Sequence, residues 1–312
     1  MAAGHGFGKV ILFGEHFVVH GKPSIASGIS RKTVAELKPA KKPGFRIIDK
    51  RPAAEGYIKK YEESQRKSVE LMNKAVWHLD FEKHPVEVTL GGDLYCASGV
   101  GASAASCVAM ARAVSEHFGL ELTAEKINLC GLEGDKAYAG TPSGIDNTCS
   151  TYGGLIYFRK NMQGGPNAIE RIQLGKPLDI IMVSTGITTR TEEAVAGVRE
   201  RLKQNPEDYG RIFDEAEQIV NKAKDALAKG NAEQIGRLMD ENHRLLQRIG
   251  VSHEKLDYLV GLCRKNHALG AKMTGGGMGG YMVAVFSCPN CVEKAAKACE
   301  AEGYKVIRAR IG

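Results

Sequence analysis

The order of apolar periods along the chain constrains its fold more than any single motif. The first half carries short extended stretches: KVILF at 9–13, SIASGI at 24–29, TVAELKP at 33–39, VEVTLGG at 86–92 and GGLIYFR at 153–159. FVVH at 17–20 reads as one more extended piece, bracketed by glycines. From Glu192 the period changes to that of helices, over 192–204, 207–228, 232–248 and 253–267, broken by NP, KGN and GVS. DIIMVSTGI at 179–187 and YMVAVF at 281–286 are strands in this second half, followed by a helix over 291–302 and a closing strand, YKVIRARI. Clustered strands followed by clustered helices predict an α+β fold, not alternating βαβ units. The change of pattern sets a domain boundary in the turn LGKPLD at 174–179, giving an N-terminal domain over 1–178 and a C-terminal domain over 179–312.

Three helices interrupt the strands of the first half. Tyr61, Val69, Met72 and Val76 recur at helical spacing within 57–79. Val108, Ala111, Val114 and Phe118 form the apolar face of a helix over 103–118, which Gly119 stops. Thr123 is placed to cap the next helix, which ends near Gly140. TPSGIDN at 141–147 reads as a loop.

A chain of 312 residues, 43% of them hydrophobic, can bury two moderate cores. Its 43 basic against 36 acidic residues give a net charge of +7, which by itself suits an acidic ligand, a nucleotide or a nucleic acid about equally. The charge is dispersed. Its densest run, at 38–51, reads as a solvated loop, and no interleaving of basic and aromatic residues points to nucleic acid. No apolar run reaches membrane-spanning length, and the first residues lack the pattern of a secretory leader. A cytoplasmic, reduced protein is the expectation. Of eight cysteines only Cys288 and Cys291 form a CxxC pair, which reads as a turn with incidental cysteines.

Three glycine-bearing stretches compete for function: GKVILFGEHFVVHG at 8–21, GVGASAAS at 99–106 and KMTGGGMGG at 272–280. In the second, Gly99 and Gly101 let backbone approach a ligand, and Ala102, Ser103 and Ala104 leave a helix start unshielded. The first amides of a helix have no internal acceptor, and they can donate to a phosphate with the help of the helix dipole. Neither GxxxxGK[ST] nor the dinucleotide-binding glycine pattern is present. In the third stretch, five glycines in six residues cost conformational entropy, which a second glycine-rich turn lining the same pocket would justify; a flexible hinge is the alternative. The charged candidates are Lys9, Glu15, Glu133, Asp135 and Asp146. Phosphoryl transfer needs a positioned acceptor hydroxyl, a divalent cation and positive charge near the moving oxygens, and these residue types supply such roles.

Taken in order, GKVILFGEHFVVHGKP, GVGASAAS with EGDKAYAGTPSGIDN, and KMTGGGMGG resemble the three signature regions of the mevalonate kinases. These belong to the larger family of galactokinase, homoserine kinase, mevalonate kinase and phosphomevalonate kinase (GHMP). The resemblance runs from about residue 8 to 285. It implies a two-domain GHMP kinase fold, with an N-terminal domain like domain 2 of ribosomal protein S5 and a ferredoxin-like C-terminal domain. It also implies ATP- and Mg2+-dependent phosphorylation of the C5 hydroxyl of (R)-mevalonate, and a homodimer. By resemblance Asp146 is the catalytic base and Lys9 acts on the acceptor oxygen. Glu15, His16 and Thr191 lie near the substrate, with His16 either binding its carboxylate or bracing the loop. Gly99, Gly101, Ala102, Ser103, Ala104, Gly275, Gly276 and Gly277 hold the nucleotide phosphates, and Ser103 also serves the magnesium.

The chain departs from the family pattern in three places. Ala102 replaces a serine. The family's magnesium glutamate falls in register on Asp135, with Glu133 as rival; residues two apart on a helix cannot face the same way. Met278 interrupts the last glycine run. The alternatives are another GHMP-type kinase, acting at C3 of mevalonate or on phosphomevalonate, and an inactive nucleotide-binding protein on the same scaffold.

Overall fold

A computed structural model of the chain describes residues 2–96, 99–140, 142–165, 167–187 and 191–312, without the side chains of residues 191 and 192. It divides into two compact units, residues 1–9 with 28–153, and residues 10–27 with 154–312. Two strands pass from one unit to the other, β1 (Ala2–Phe13) and β2 (Pro23–Pro39). SIASGI and TVAELKP are therefore one strand, not two. FVVH is a 3-10 turn (Phe17–His20), not an extended piece: both Phe17 and Val18 are buried, and Gly21 closes the turn in the left-handed region at φ 82°.

In the first unit β2 pairs antiparallel with β4 (Val86–Gly92), which pairs in parallel with β3 (Phe45–Asp49). Strand β3 lies inside the basic run expected to be a loop. Phe45 and Ile47 supply the reason, since both pack against the core. Alternate residues of β2 (Ala35, Leu37) and of β4 (Val86, Val88, Leu90) point inward, the period of two expected of a half-buried sheet. The helical stretch after residue 57 is broken into α1 (Tyr57–Lys60), α2 (Glu62–Met72) and a π turn (Asn73–Trp77). Val69, Met72 and Trp77 join the same core.

Helix α3 (Ala102–Phe118) and helix α4 (Ala124–Ala139) follow the sequence expectation, with Gly119 left-handed and the Thr123 hydroxyl accepting from the Lys126 amide. Strand β1 lies hard against α3. A Cβ on Gly4 would sit 2.2 Å from the Ala109 carbonyl oxygen, and one on Gly6 2.2 Å from that of Ala105. The alternating glycines of GHGFGKV thus give β1 one bare face on which a helix backbone can rest. Helix α5 (Ile145–Tyr152) corrects the expected loop: Asp146 stands in the first turn of a helix whose N-cap, Gly144, has φ 93°.

The second unit pairs residues 23–27 of β2 with β5 (Leu155–Arg159), and β5 with β6 (Ala168–Ile172). Its other sheet has the order β10-β7-β9-β8, all antiparallel, from β7 (Leu178–Ser184), β8 (Gly270–Thr274), β9 (Tyr281–Phe286) and β10 (Val306–Ile311). Every residue of β8 and β9 is buried, so these strands lack the alternation of a half-exposed sheet. Among the described residues, this unit contains α6 (Thr191–Gln204), α7 (Pro206–Lys229), α8 (Ala232–Arg248), α9 (Glu254–Lys265) and α10 (Pro289–Ala301). Helix α7 buries Ile212, Ala216, Ile219, Val220, Ala223 and Leu227, at the spacing of a single helical face. Cys288 and Cys291 are joined by a disulfide, which corrects the expectation of incidental cysteines, while six other cysteines are free and buried. Among the described residues no helix is long and apolar enough to cross a membrane.

Candidate active site

The sequence of the first unit builds a helix start with open amides beside an ion pair of a buried lysine and a partly exposed aspartate. Gly101 is the N-cap of α3, at φ 71°. A Cβ there would lie 3.1 Å from the Lys9 Cβ, so the position requires glycine for both its conformation and its neighbour. The Lys9 amide donates to the Val100 carbonyl at 2.9 Å, which fastens the glycine stretch to β1. The first helical bond from this turn is Ala105 N–H to Gly101 O, at 2.9 Å. The amides of residues 102 to 104 precede it and have no acceptor within the helix. Gly99, Gly101, Ala102, Ser103 and Asp146 line a cavity of about 150 Å³ together with Ala139 and three tyrosines, Tyr57, Tyr61 and Tyr138.

Two carboxylates converge on this helix start. The Lys9 Nζ lies 3.0 Å from Asp146 Oδ1; the lysine side chain is 6% exposed and the aspartate 32%. Burial works against the ammonium, but the neighbouring Asp146 carboxylate outweighs it, and the Lys9 pKa lies above that of an ordinary lysine. Asp135 is buried and accepts a 2.7 Å hydrogen bond from the Ser103 hydroxyl. Burial, then the Asp146 charge, holds its pKa above the usual carboxylate range, against the pull of Ser103 and Lys9. Glu133 instead pairs with Lys136 at 2.6 Å. The structure thus brings together Lys9, Ser103, Asp135, Asp146 and the glycine stretch, and leaves Glu133 outside the group.

In the second unit the GEH and glycine-rich stretches meet. The Thr274 hydroxyl donates to the Ile11 carbonyl at 2.9 Å and accepts from the Ile11 amide at 3.2 Å. The Gly14 amide donates to Asn242 Oδ1 at 3.1 Å. Glu15 is ion-paired with Lys272, and both side chains are fully buried. Here burial outweighs the Glu15 charge, and the Lys272 pKa falls below that of an ordinary lysine. The His16 Nε2–H donates to the Gly276 carbonyl at 2.9 Å. Burial lowers the His16 pKa to about 4, so the ring is neutral near pH 7 and braces the glycine turn as a donor. Gly275 and Gly277 have φ 81° and 70°, and a Cβ on Gly277 would meet the Val251 carbonyl oxygen at 2.1 Å. Met278, also left-handed at φ 55°, is exposed. Thr191 begins α6, and its side chain lies outside the described residues.

Several residues of these groups were not read from the sequence. Lys272 carried a signal, a lone lysine inside the buried run GAKMT, but nothing local names Glu15 as its partner. Arg51 carried none. It donates to the Ala102 carbonyl at 3.0 Å and pairs with Asp49 at 2.6 Å, which ties the first turn of α3 to β3. Of the three tyrosines, Tyr61 reads from the sequence only as part of an apolar helical face, and nothing local marks Tyr57 or Tyr138 as cavity lining.

The family described as GHMP kinases N terminal domain matches residues 68–154, and that described as GHMP kinases C terminal matches residues 223–305. The chain belongs to the GHMP kinase family and has its two-domain fold. It is 34% identical to the mevalonate kinase of Pyrococcus furiosus, over 95% of this chain and 91% of that protein. It is 36% identical to that of Pyrococcus horikoshii, over 89% and 86%. The crystal structure of the L. major mevalonate kinase in complex with R-mevalonate matches with a TM-score of 0.94 and 39% identity, over 100% of this chain and 96% of that one. Within the family, these relatives set the chain in the mevalonate kinase subfamily.

Proposed function

We propose that the chain transfers the γ-phosphoryl group of ATP to the C5 hydroxyl of (R)-mevalonate, giving 5-phosphomevalonate and ADP. The observation that carries this reading is the buried Lys9 held 3.0 Å from Asp146, beside the open amides of α3. Asp146 lines the cavity with a partly exposed carboxylate and can take the proton of an acceptor hydroxyl. The Lys9 ammonium orients that carboxylate and offsets negative charge developing on the attacking oxygen. The amides of Ala102, Ser103 and Ala104, with Gly99 and Gly101, receive the nucleotide phosphates. The turn at Gly275, Gly276 and Gly277, braced by His16, serves the phosphates in the same reading, and Glu15 supports it from its buried pair with Lys272.

The donor set suits magnesium in the mode that uses one or two carboxylates and the substrate phosphates in place of an all-protein cage. Asp135 supplies a buried carboxylate whose charge is unfavourable without a cation, and Ser103 supplies a hydroxyl beside it. Among the described residues no cluster of three or more His, Cys, Asp or Glu could hold a metal by itself. Bound there, magnesium would neutralise charge on the phosphate oxygens. The pairing of Glu133 with Lys136 supports Asp135 as the ligand.

The test is a steady-state screen of (R)-mevalonate, its phosphates and homoserine with ATP and magnesium, the site of phosphorylation being read by NMR. Phosphate on C5 of mevalonate is the expected result. Phosphate at C3, or turnover only with phosphomevalonate, would replace this reading by another kinase of the family. Absence of ADP with every substrate would point to an inactive nucleotide-binding protein.

A further inference from the structure

The cysteine pair at the end of β9 belongs to none of this machinery. Its sequence is SCPNC, and it forms the turn from β9 into α10. Strands β9 and β10 both run antiparallel to β7, so β9, α10 and β10 make a split βαβ crossover with the CxxC at its first turn. A CxxC pair at such a strand-to-helix turn is the arrangement of dithiol redox sites. Cys288 is the N-cap of α10 and Pro289 occupies its first turn. The Cys288 sulfur accepts the Cys291 amide at 3.2 Å. That bond and the helix dipole both favour a thiolate at Cys288.

Access separates this pair from the other close cysteines of the unit. Cys263 and Cys299 have sulfurs 3.9 Å apart in a thiol–thiol hydrogen bond, yet both are fully buried and no disulfide joins them. Cys288 and Cys291 are bonded and half-buried, and Pro289 and Asn290 between them are exposed. Two other roles fit poorly. A bridge between residues three apart in sequence removes little chain entropy from the unfolded state, so it is a weak staple. Among the described residues, no further His, Cys, Asp or Glu completes a metal cluster with the pair.

We propose that Cys288 and Cys291 form a reversible two-electron thiol–disulfide exchange site whose co-reactant is a low-molecular-weight disulfide, reversed by a dithiol. On oxidation the Cys288 thiolate attacks one sulfur of the external disulfide and expels the first thiolate, leaving a mixed disulfide. Cys291 gives its proton to solvent, and its sulfur attacks that of Cys288, expelling the second thiolate. Two electrons pass to the co-reactant, which leaves as two thiols after protonation. The glycine turn at 275–280 precedes β9 and the cysteine turn follows it. The six-residue strand between them spans about 20 Å, so the exchange site is separate from the glycine turn of its own unit.

The test equilibrates the full chain in a series of glutathione and glutathione disulfide mixtures, followed by acid quench, alkylation and peptide mass mapping. The peptide holding Cys288 and Cys291 should pass between two alkylations and none, as one step, while Cys263 and Cys299 stay reduced throughout. In Cys291→Ser, Cys288 should accumulate a glutathione adduct. In Cys288→Ser, Cys291 should form one about tenfold more slowly, with kinase turnover unchanged as evidence of folding. The proposal is overturned if the pair stays oxidised in excess dithiothreitol or reduced in excess glutathione disulfide. Equal adduct rates in the two single variants would overturn it too.

Discussion

Each unit buries a lysine against a carboxylate, and the two pairs differ in their access to solvent. In the second unit Lys272 and Glu15 are both fully buried, and burial pulls the lysine pKa down. In the first, Lys9 is almost as deeply buried, but Asp146 keeps 32% of its side-chain surface and faces a cavity; there the aspartate wins and the lysine pKa rises. The same two functional groups thus give a sealed pair and an open one. A sealed pair cannot exchange a proton with a ligand, and its cost is repaid only by good geometry and by the structure it fixes. An open pair keeps its charge and presents one carboxylate oxygen to whatever enters the cavity. On the proposed reading the open pair, Lys9 and Asp146, carries the chemistry, while Lys272 and Glu15 support the GEH and glycine-rich stretches.

The largest effect separating the pairs should fall on turnover. Lys9→Met should lower kcat by roughly 10²- to 10³-fold and leave ATP affinity close to that of the parent, as read by steady-state kinetics and calorimetry. Next comes stability. Lys272→Met leaves Glu15 buried without its cation and should cost about 3–5 kcal/mol in urea unfolding. Adding Glu15→Leu should recover most of that loss; if the double variant is no more stable than the single one, Glu15 has other work in this unit.

The third effect is pH-dependent and belongs to the second unit. His16 and His243 are buried there, each with its pKa lowered to about 4. The His243 Nδ1 accepts the Met273 amide at 3.4 Å, so its proton sits on Nε2, 3.1 Å from Asp257 Oδ1. Below pH 6.5 the unfolded chain takes up protons that the folded one refuses. Stability is therefore level above pH 6.5, falls from there towards pH 4, and levels again below it. The loss reaches up to about 3 kcal/mol per histidine. Calorimetry in steps from pH 7.5 to 4.5 should show this slope, and His243→Gln should reduce it by about half, leaving the share of His16. The smallest effect concerns the metal. Asp135→Ala should raise the magnesium concentration needed for half-maximal activity, and Glu133→Ala should leave it unchanged, since Glu133 is already engaged by Lys136.

Much of the fold was legible because it rests on local periods. Helices α3, α4 and α7 to α9 follow their apolar faces and caps within a few residues. What the sequence hid depends on contacts distant along the chain. FVVH reads as extended, yet it coils because Phe17 and Val18 must both be buried. The basic run at 38–51 reads as a loop, yet β3 is held within it by pairing with β4. In the site, Lys9, Ser103, Asp135 and Asp146 stand out in the sequence as candidates, but their roles come from the resemblance and its register, and the structure shows that these four lie together. Lys272 as the partner of Glu15, 257 residues away, was not legible, and neither was Arg51 behind α3, because no local period encodes an ion pair.

The central claim is that the open pair performs the chemistry, and Asp146→Asn tests it most directly. The measurement is the single-turnover rate of phosphoryl transfer to (R)-mevalonate with saturating ATP and magnesium, on variant protein shown by its unfolding curve to be folded. The predicted result is a rate lower by roughly 10²- to 10⁴-fold with nucleotide binding retained. A rate within about threefold of the parent, too small a change for the loss of a general base, would contradict the account.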